Sequence, residues 1–237
     1  FKYESPILIS DGVQTLRAVT YRYGIIAGEE AKYEYEIELP SYVVEFTDKA
    51  FEKALRKIIN KPEAEIRNTD LLNIGNVCII GEEVIIIDEK GNKNHNEQPV
   101  TNLHYSEFGF YINRNYYTAR GEISCLDDLN LLSGAEHIEI LYQDNLHLNA
   151  LINLTNLRSL ILERNRISDI GALANLDNLK ILQLRGNQIS DISALSRLKK
   201  LTDLVLSSNQ ISNISALSEL TNIERLDLGG NQIRDIG

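Results

Sequence analysis

The stretch LTNLRSLILERNRISDIGALAN (residues 154–175) is followed directly by three segments that repeat its pattern. These segments are LDNLKILQLRGNQISDISALSR (176–197), LKKLTDLVLSSNQISNISALSE (198–219) and LTNIERLDLGGNQIRDIG (220–237). The four segments start 22 residues apart, and apolar residues occupy the same places in each of them. A period of this length indicates a chain built from stacked copies of one supersecondary unit.

Each copy follows the pattern L-x-x-L-x-L-x-x-N-x-I, which is the signature of a leucine-rich repeat. Leu160 and Leu162 occupy alternate positions, as expected for a short strand that buries one side. A single repeat cannot bury its leucines alone, so neighbouring copies stack into a continuous core. We therefore predict an α/β-type leucine-rich-repeat solenoid with a curved sheet of short parallel strands, in which residues 154–237 form regular repeats.

One asparagine follows the strand in each copy, at the point where the chain must turn inward. An unpaired polar group buried in such a turn would cost about 1–3 kcal/mol, and an asparagine amide can satisfy it. We predict a structural ladder, rather than a binding site, formed by Asn165, Asn187, Asn209 and Asn231.

Weaker copies of the pattern precede residue 154. The first has Gln143 in place of the asparagine and apolar residues at Leu132, Ala135, Ile138, Ile140, Leu148 and Leu151. The next predicted copies use Phe110, Tyr116, Thr118, Ile123, Leu126 and Leu129, and then Leu71, Ile74, Val77, Ile79, Val84 and Ile87. From Leu71 to Phe110 is 39 residues, or 17 more than one period, so we predict an insertion of about that length in the polar stretch 88–109.

A helix is predicted ahead of these repeats, within residues 46–73. Thr47 and Asp48 supply an N-cap, and a hydrophobic stripe follows at helical spacing with Phe51, Leu55, Ile58 and Ile59. The first leucines of a solenoid need a cover, so we expect the stripe to pack across the open N-terminal end.

The segments FTDKAFEKALRKIINKP (46–62) and IRNTDL (66–71) resemble the helical cap of bacterial internalin-like leucine-rich-repeat proteins. The repeated phrases Ser-Asp-Ile and Asn-Gln-Ile are similar to the same family, and the likeness covers about four-fifths of the chain. The resemblance implies a leucine-rich-repeat domain over residues 46–237 that binds a macromolecule at a cell surface or outside the cell.

Residues 1–40 have a different pattern, with ILI (7–9), the turn SDG (10–12), TLRAVTYRY (15–23) and the alternating run YEYEI (33–37). Such alternation predicts strands with one buried face. The segment resembles the later strands of the chitobiase-C-terminal-like, immunoglobulin-like domain of secreted bacterial proteins. We expect a partial β-sandwich module that acts as a spacer, with ELPS (38–41) as either a linker or a direct junction onto the helical cap.

Composition narrows the possible functions. The formal charge of -10 and the absence of a Lys/Arg cluster argue against nucleic acid as a partner. No apolar run is long enough for direct membrane insertion. No P-loop, G-x-S-x-G, H-E-x-x-H or metal-binding spacing is present, so we predict no enzyme activity, no cofactor and no metal. Cys78 and Cys125 are expected to be unpaired.

The register also predicts which strand side chains face outward on the concave sheet and could contact a partner. The predicted site consists of His137, Leu141, Ile161, Glu163, Ile181, Arg185, Asp203, Val205 and Arg225. Ile161, Ile181 and Val205 would form an apolar centre with a charged rim, as in a protein interface. The alternative is that β-branched residues occur there because they suit strands and need no partner.

Two functions remain open at this level. In the first, the chain recognises a protein or cell-surface macromolecule as part of a secreted or surface-displayed bacterial protein. In the second, it is an accessory binding region of a multidomain secreted enzyme or receptor kinase. The chain begins at Phe1 and ends within a repeat, so we expect it to be a piece of a longer protein.

Overall fold

The computed structural model describes residues 12–18, 21–22, 25–26, 31–37, 40–72, 74–88, 91–94, 103–105, 110–112, 115–117, 120–144 and 146–235. The chain divides into two units, Phe1–Tyr42 and Val43–Gly237.

The first unit contains antiparallel strand pairs. Its described strands are β1 (Gly12–Ala18), β2 (Tyr21–Arg22), β3 (Ile25–Ile26) and β4 (Ala31–Ile37). β1 pairs with β4 along its whole length, and β2 pairs with β3. The expected run 33–37 lies within β4, whereas the run predicted at 7–9 lies outside the described residues. The immunoglobulin-like module stays a prediction.

The second unit begins with α1 (Lys49–Ile58) and α2 (Asn68–Leu71). Its described strands are β5 (Asn76–Ile80), β6 (Glu83–Asp88), β7 (Gly91–Asn94), β8 (Leu103–Tyr105), β9 (Phe110–Ile112), β10 (Asn115–Tyr117), β11 (His137–Leu141), β12 (Ser159–Ile161), β13 (Ile181–Gln183), β14 (Asp203–Val205) and β15 (Arg225–Asp227).

Six of these strands form a parallel sheet in the order β5, β11, β12, β13, β14, β15. From β11 onward each strand pairs in register with residues 22 further along the chain, for example Leu160 opposite Leu182. Short 3₁₀ turns return the chain at Asp127–Leu131, Asn149–Asn153, Gly171–Asn175, Ser193–Arg197 and Ser215–Leu217. Parallel strands joined by short return turns are the architecture of a leucine-rich-repeat solenoid, as the period predicts.

The core lies between the sheet and the return turns. The second residue of each of five strands is fully buried there, namely Val77, Ile138, Leu160, Leu182 and Leu204. Each buried leucine contributes about 1.5–3 kcal/mol relative to an exposed one, so the repeated leucines supply most of the driving force for folding. Leu226 is 47% exposed because β15 is the edge strand of the sheet.

The helix α1 begins at a complete N-cap. Asp48 Oδ1 accepts hydrogen bonds from the backbone N–H groups of Ala50 and Phe51, both at 2.9 Å. Phe51 and Leu55 are fully buried in the same cluster as the repeat leucines. The apolar stripe of α1 therefore joins the solenoid core.

In the part of the chain before residue 132, the repeat boundaries differ from those predicted from the sequence. β5 pairs directly with β11, so Val77 lies opposite Ile138, 61 residues away. Gly121 and Cys125 pair with Gln143 and His147, one period of 22 residues away. One repeat therefore carries 39 inserted residues between its strand and its return turn.

The first half of the copy predicted from Phe110 to Leu129 is consequently wrong, as is an insertion confined to residues 88–109. The second half of this copy is confirmed, because Ile123, Leu126 and Leu129 are buried in the core one period before the next repeat. Phe110 and Tyr116 lie in β9 and β10, which pair with each other and with β8 as a separate antiparallel sheet. Val84 and Ile87 lie in β6, which runs antiparallel to β5. Apolar residues of the inserted strands fall at spacings that fit the repeat template, although these strands belong to the insertion.

The two ends of the insertion adjoin each other. A Cβ atom on Gly121 would lie 2.3 Å from the carbonyl oxygen of Gly81 and 2.0 Å from Gln143 Oε1. Gly81 has a φ of 58°, and Tyr142, in the corresponding position of the next repeat, has a φ of 56°. The chain thus leaves the solenoid after Gly81 and re-enters it at Gly121.

The asparagine row satisfies backbone groups along the turns. Asn187 Oδ1 accepts from the backbone N–H groups of Asn165 and Ile167, while its Nδ2 donates to carbonyl oxygens of Leu162 and Leu184. Asn209 and Asn231 make the same kinds of bonds one repeat further on. Gln143 is fully buried at the start of the row, and the absence of a side chain on Gly121 makes room for its extra methylene group.

Candidate functional site

The parallel sheet presents one side to the leucine core and the other side away from it. We call the second side the outer sheet face. It comprises Asn76, Cys78, Ile80, His137, Glu139, Leu141, Ser159, Ile161, Glu163, Ile181, Gln183, Arg185, Asp203, Val205, Ser207, Arg225, Asp227 and Gly229. Strand alternation places these side chains opposite the buried leucines.

Most of the predicted site residues reach the surface of the outer sheet face. Arg185 and Arg225 are exposed, and five others are partly exposed, namely His137, Ile161, Glu163, Ile181 and Asp203. These side chains lie on β11 to β15 or on the residues that follow those strands.

Two predicted site residues are buried, so their assignment to an accessible surface is wrong. Leu141 is 0% exposed and pairs in register with Ile80, which is also fully buried. Val205 is 3% exposed and lies in register between Gln183 and Asp227, whose longer side chains flank it. Direction away from the core is therefore not sufficient for exposure on this face.

The accessible apolar part of the face is reduced to two isoleucines. Ile161 and Ile181 lie on the adjacent strands β12 and β13. Ile181 is directly opposite Ser159, two residues before Ile161. Strands in a sheet are about 4.8 Å apart, so the two side chains are diagonal neighbours. Together they form a small apolar centre between polar positions.

Charged pairs flank this centre on the C-terminal side. Arg225 donates to Asp203 at 3.0 Å, and Gln183 Nε2 lies 3.4 Å from the other carboxylate oxygen of Asp203. Such a rim pair in contact with solvent stabilises the fold by only about 0–1 kcal/mol. Its groups remain accessible to a partner because Arg225 is exposed.

A carboxylate and a thiol lie together on the N-terminal side. Cys78 pairs in register with Glu139 and hydrogen bonds to it. Burial, with the Glu139 charge beside it, raises the pKa of the Cys78 thiol well above its usual value. A thiol with a raised pKa stays protonated at neutral pH and is a poor nucleophile. The sequence did not predict this contact, because the predicted register placed another repeat between β5 and β11.

Glu163 is a carboxylate of the outer sheet face whose pKa is raised. Burial raises its pKa, Arg185 and Arg164 act in the opposite direction, and Glu139 adds to the increase. The charged form of Glu163 is therefore less stable than it would be in water, and a cation that approached the face would stabilise it.

Cys78 and Cys125 are both free cysteines. Among the residues that the structure describes, no group of three or more His, Cys, Asp or Glu side chains is placed to hold a metal ion. Within the same residues, no helix has the length and hydropathy needed to cross a membrane.

The sequence matches the family model for leucine-rich repeats at residues 155–197 and 199–237. No curated protein matches it significantly. Among solved structures, an internalin (inlF) from Listeria monocytogenes is 36% identical over 48% of this chain and 34% of that chain, with a TM-score of 0.47. Internalin C2 (inlC2) from Listeria monocytogenes is 19% identical over 81% of this chain and 88% of that chain, with a TM-score of 0.37.

The chain therefore contains leucine-rich repeats. It spans about a third of the length of the inlF internalin that it matches. Leucine-rich repeats are typical of protein-binding proteins.

Proposed function

We propose that this chain is a non-catalytic recognition region that binds a protein or another cell-surface macromolecule through the outer sheet face. The protein that contains it would be secreted or displayed on a bacterial surface, where it would function in adhesion. In this proposal the sheet is curved, its outer face is concave, and α1 caps the N-terminal end of the solenoid.

The observation that supports this proposal is the contrast between the two sides of the same strands. The core positions Leu160, Leu182, Leu204 and Leu226 are identical in four successive repeats. The neighbouring outer positions Ser159, Ile181, Asp203 and Arg225 differ in size, polarity and charge. The fold needs the first set to be uniform, whereas a varied second set gives the face a specific pattern that a partner can read.

The composition of the face also suits an interface. Two partly exposed isoleucines lie between charged groups, which is the arrangement of an apolar centre and a polar rim. Charged groups surround the apolar centre, so the outer sheet face has no large exposed apolar patch that would require a partner for solubility. The second candidate, an accessory binding region of a multidomain enzyme or receptor kinase, would use the same face.

The direct test is a binding screen of the 237-residue chain against purified extracellular protein domains and cell-surface glycans. We expect saturable binding to at least one of them, which is lost when the chain is unfolded by heat. The same chain is incubated with glycan, peptide and nucleotide substrates, and we expect no turnover above a buffer control. Turnover, or the absence of any saturable ligand, would contradict the proposal.

A further inference from the structure

A group of arginines lies beside the outer sheet face, at the turn where the inserted segment re-enters the solenoid. Arg120 and Arg166 both pair with the carboxylate of Asp144, and Arg164 lies beside Arg120, which donates to its carbonyl oxygen. Arg120 Nε lies 3.4 Å and Arg166 Nη1 3.3 Å from the same oxygen of Asp144. We call these three arginines the arginine cluster.

The chain holds the arginine cluster in place through several contacts. Arg120 Nη1 donates to the carbonyl oxygens of Gln143 at 2.9 Å and Arg164 at 2.7 Å. The Arg164 guanidinium lies over the ring of Tyr142, 5.8 Å from its centre. The cluster is therefore ordered by the protein before any partner arrives, so little conformational entropy remains to be lost on binding.

Positive charges are concentrated at the arginine cluster. Arg120 interacts with the like charges of Arg166 and Arg164 and with the opposite charge of Asp144, which it shares with Arg166. Three guanidinium groups therefore meet at this turn although the whole chain has a formal charge of -10.

Arg164 retains hydrogen-bonding capacity. Its buried Nε atom has no hydrogen-bond partner in the described part of the chain. A guanidinium can bind a carboxylate through two parallel hydrogen bonds, which are stronger than bonds between neutral groups. Because the Nε atom is closed to solvent, an acidic group would bind Arg164 through the terminal nitrogens of the guanidinium.

The backbone of Arg166 is also unusual. Its φ angle is 57°, a left-handed conformation that L-residues adopt at a cost, whereas the φ of 60° at Arg164 recurs at the same position of the other repeats, in Tyr142, Gly186, Ser208 and Gly230. Gly186 and Gln188 occupy the same two positions one repeat later, and only the glycine has a positive φ. Arginine is thus found where the neighbouring repeat uses a glycine and an ordinary glutamine.

We propose that the arginine cluster is a docking point for an acidic segment of a protein partner, which it binds through aspartate or glutamate side chains. This inference rests on the proposed recognition function and adds a second contact beside the outer sheet face. A short acidic segment fits better than a long polyanion, because a long polyanion would also meet the negative charge of the remaining surface. Exposed Glu122 lies in register with Asp144, so the acidic segment approaches from the side of Arg164 and Arg166.

The test uses a fluorescein-labelled octaglutamate peptide and the 237-residue chain, with binding followed by fluorescence anisotropy at low salt. The informative variant carries Arg164→Gly and Arg166→Gln, which introduces the residues that the next repeat has at these positions. A matched variant, Lys180→Gln with Arg197→Gln, removes the same charge from exposed sites elsewhere. Circular dichroism verifies that both variants are folded.

We expect the parent chain to bind the peptide, with affinity that falls as salt is added. The cluster variant should bind at least about tenfold more weakly, and the matched variant should stay within about twofold of the parent. No binding by the parent, or equal losses in both variants, would overturn the proposal. Tighter binding of a sulfated heparin oligosaccharide, lost in the same cluster variant, would replace the acidic protein segment with a glycan.

These results are separable from the test of the proposed function. A chain that binds an extracellular ligand but not octaglutamate would retain the recognition function and lose only the docking point.

Discussion

Asn187 shows how one residue type can hold a repeat in register. Its side chain makes hydrogen bonds to four backbone groups that belong to two neighbouring repeats. Alanine at this position would leave buried N–H and carbonyl groups unpaired, at a cost of about 1–3 kcal/mol for the first such group. We therefore predict that Asn187→Ala lowers the free energy of unfolding by at least about 2 kcal/mol, measured by urea titration.

Gln188→Ala is the matched control for this substitution, because Gln188 is adjacent in sequence and exposed. It should change the free energy of unfolding by less than about 0.5 kcal/mol. Equal stabilities of the two variants would show that the asparagine row does not support the fold.

Leu141 and Val205 show what the repeat pattern can and cannot predict for single side chains. A strand period of two indicates which side a residue takes, and it correctly separates Leu160 from Ile161. It does not indicate how closely the neighbouring side chains cover that residue. Val205 is covered because longer residues stand in register on both sides of it, and this depends on the identity of its neighbours. As a result Val205→Asp would place a charge in a buried site and is not a clean test of binding.

At the level of elements, Asp48 connects α1 to the repeat that carries the insertion. One carboxylate oxygen caps the helix, and the other accepts from the backbone N–H groups of Ser124 and Cys125 at 2.9 and 3.0 Å. Asp128 completes the contact by accepting from the backbone N–H groups of Thr47 and Asp48. The helix is thus attached through its N-terminus as well as through its apolar stripe.

The Asp48 contact predicts a specific pH dependence. Burial alone would raise the pKa of this carboxyl, but hydrogen bonds from Phe51, Ser124, Cys125 and Ala50 outweigh burial and lower it. A lowered pKa in the folded state stabilises the fold above the unfolded-state value of about 3.9, and this stabilisation is lost as pH falls through the folded-state pKa. Asp48→Asn should therefore cost about 1.5–3 kcal/mol at pH 7 and progressively less below about pH 4.

Urea titrations of both proteins at a series of pH values measure this difference. A stability gap that stays constant from neutral to strongly acidic pH would contradict the assigned role of the Asp48 charge.

The inserted repeat marks where sequence reasoning about elements succeeded and failed. From Leu154 onward the period is uninterrupted, and the order and register of β12 to β15 follow from it. Before Leu132 the 39-residue insertion separates the strand of one repeat from its return turn. Its strands β6 and β9 also contain apolar residues, and a template of spaced apolar positions cannot distinguish them from another repeat.

A disulfide can test the corrected register, because residues directly opposite in neighbouring strands lie about 4.8 Å apart, within the range that a disulfide spans. The structure pairs Glu139 with Cys78, whereas an uninterrupted 22-residue register would pair it with Tyr117. In a Cys125→Ser background, we predict that Glu139→Cys forms a disulfide with Cys78 under mild oxidation, detected by mass spectrometry of peptides.

Ser159→Cys in the same background is the control, because β12 is separated from β5 by β11. Its thiol should remain free. The register would be wrong if both variants stayed reduced or if only the control were oxidised.

For the molecule as a whole, the repeats predict the architecture more securely than the binding site. The leucine positions repeat and are buried, so physical chemistry alone places them in the core. The outer sheet face varies from repeat to repeat, and its accessible part emerges only once the packing is known. The arginine cluster could not be predicted from spacing, because Arg120 reaches Arg164 only after the insertion has closed.

The central claim is that the outer sheet face carries recognition, and Ile181 lies in its apolar centre. With a ligand from the binding screen, Ile181→Arg should weaken binding by at least about 1–2 kcal/mol, because it places a charge at the centre of the contact. Ser190→Arg, on the exposed return segment of the same repeat, is the matched control and should leave the dissociation constant unchanged. We expect this contrast in equilibrium titrations of the two folded variants; unchanged affinity for Ile181→Arg together with a loss for Ser190→Arg would show that the outer sheet face does not carry recognition.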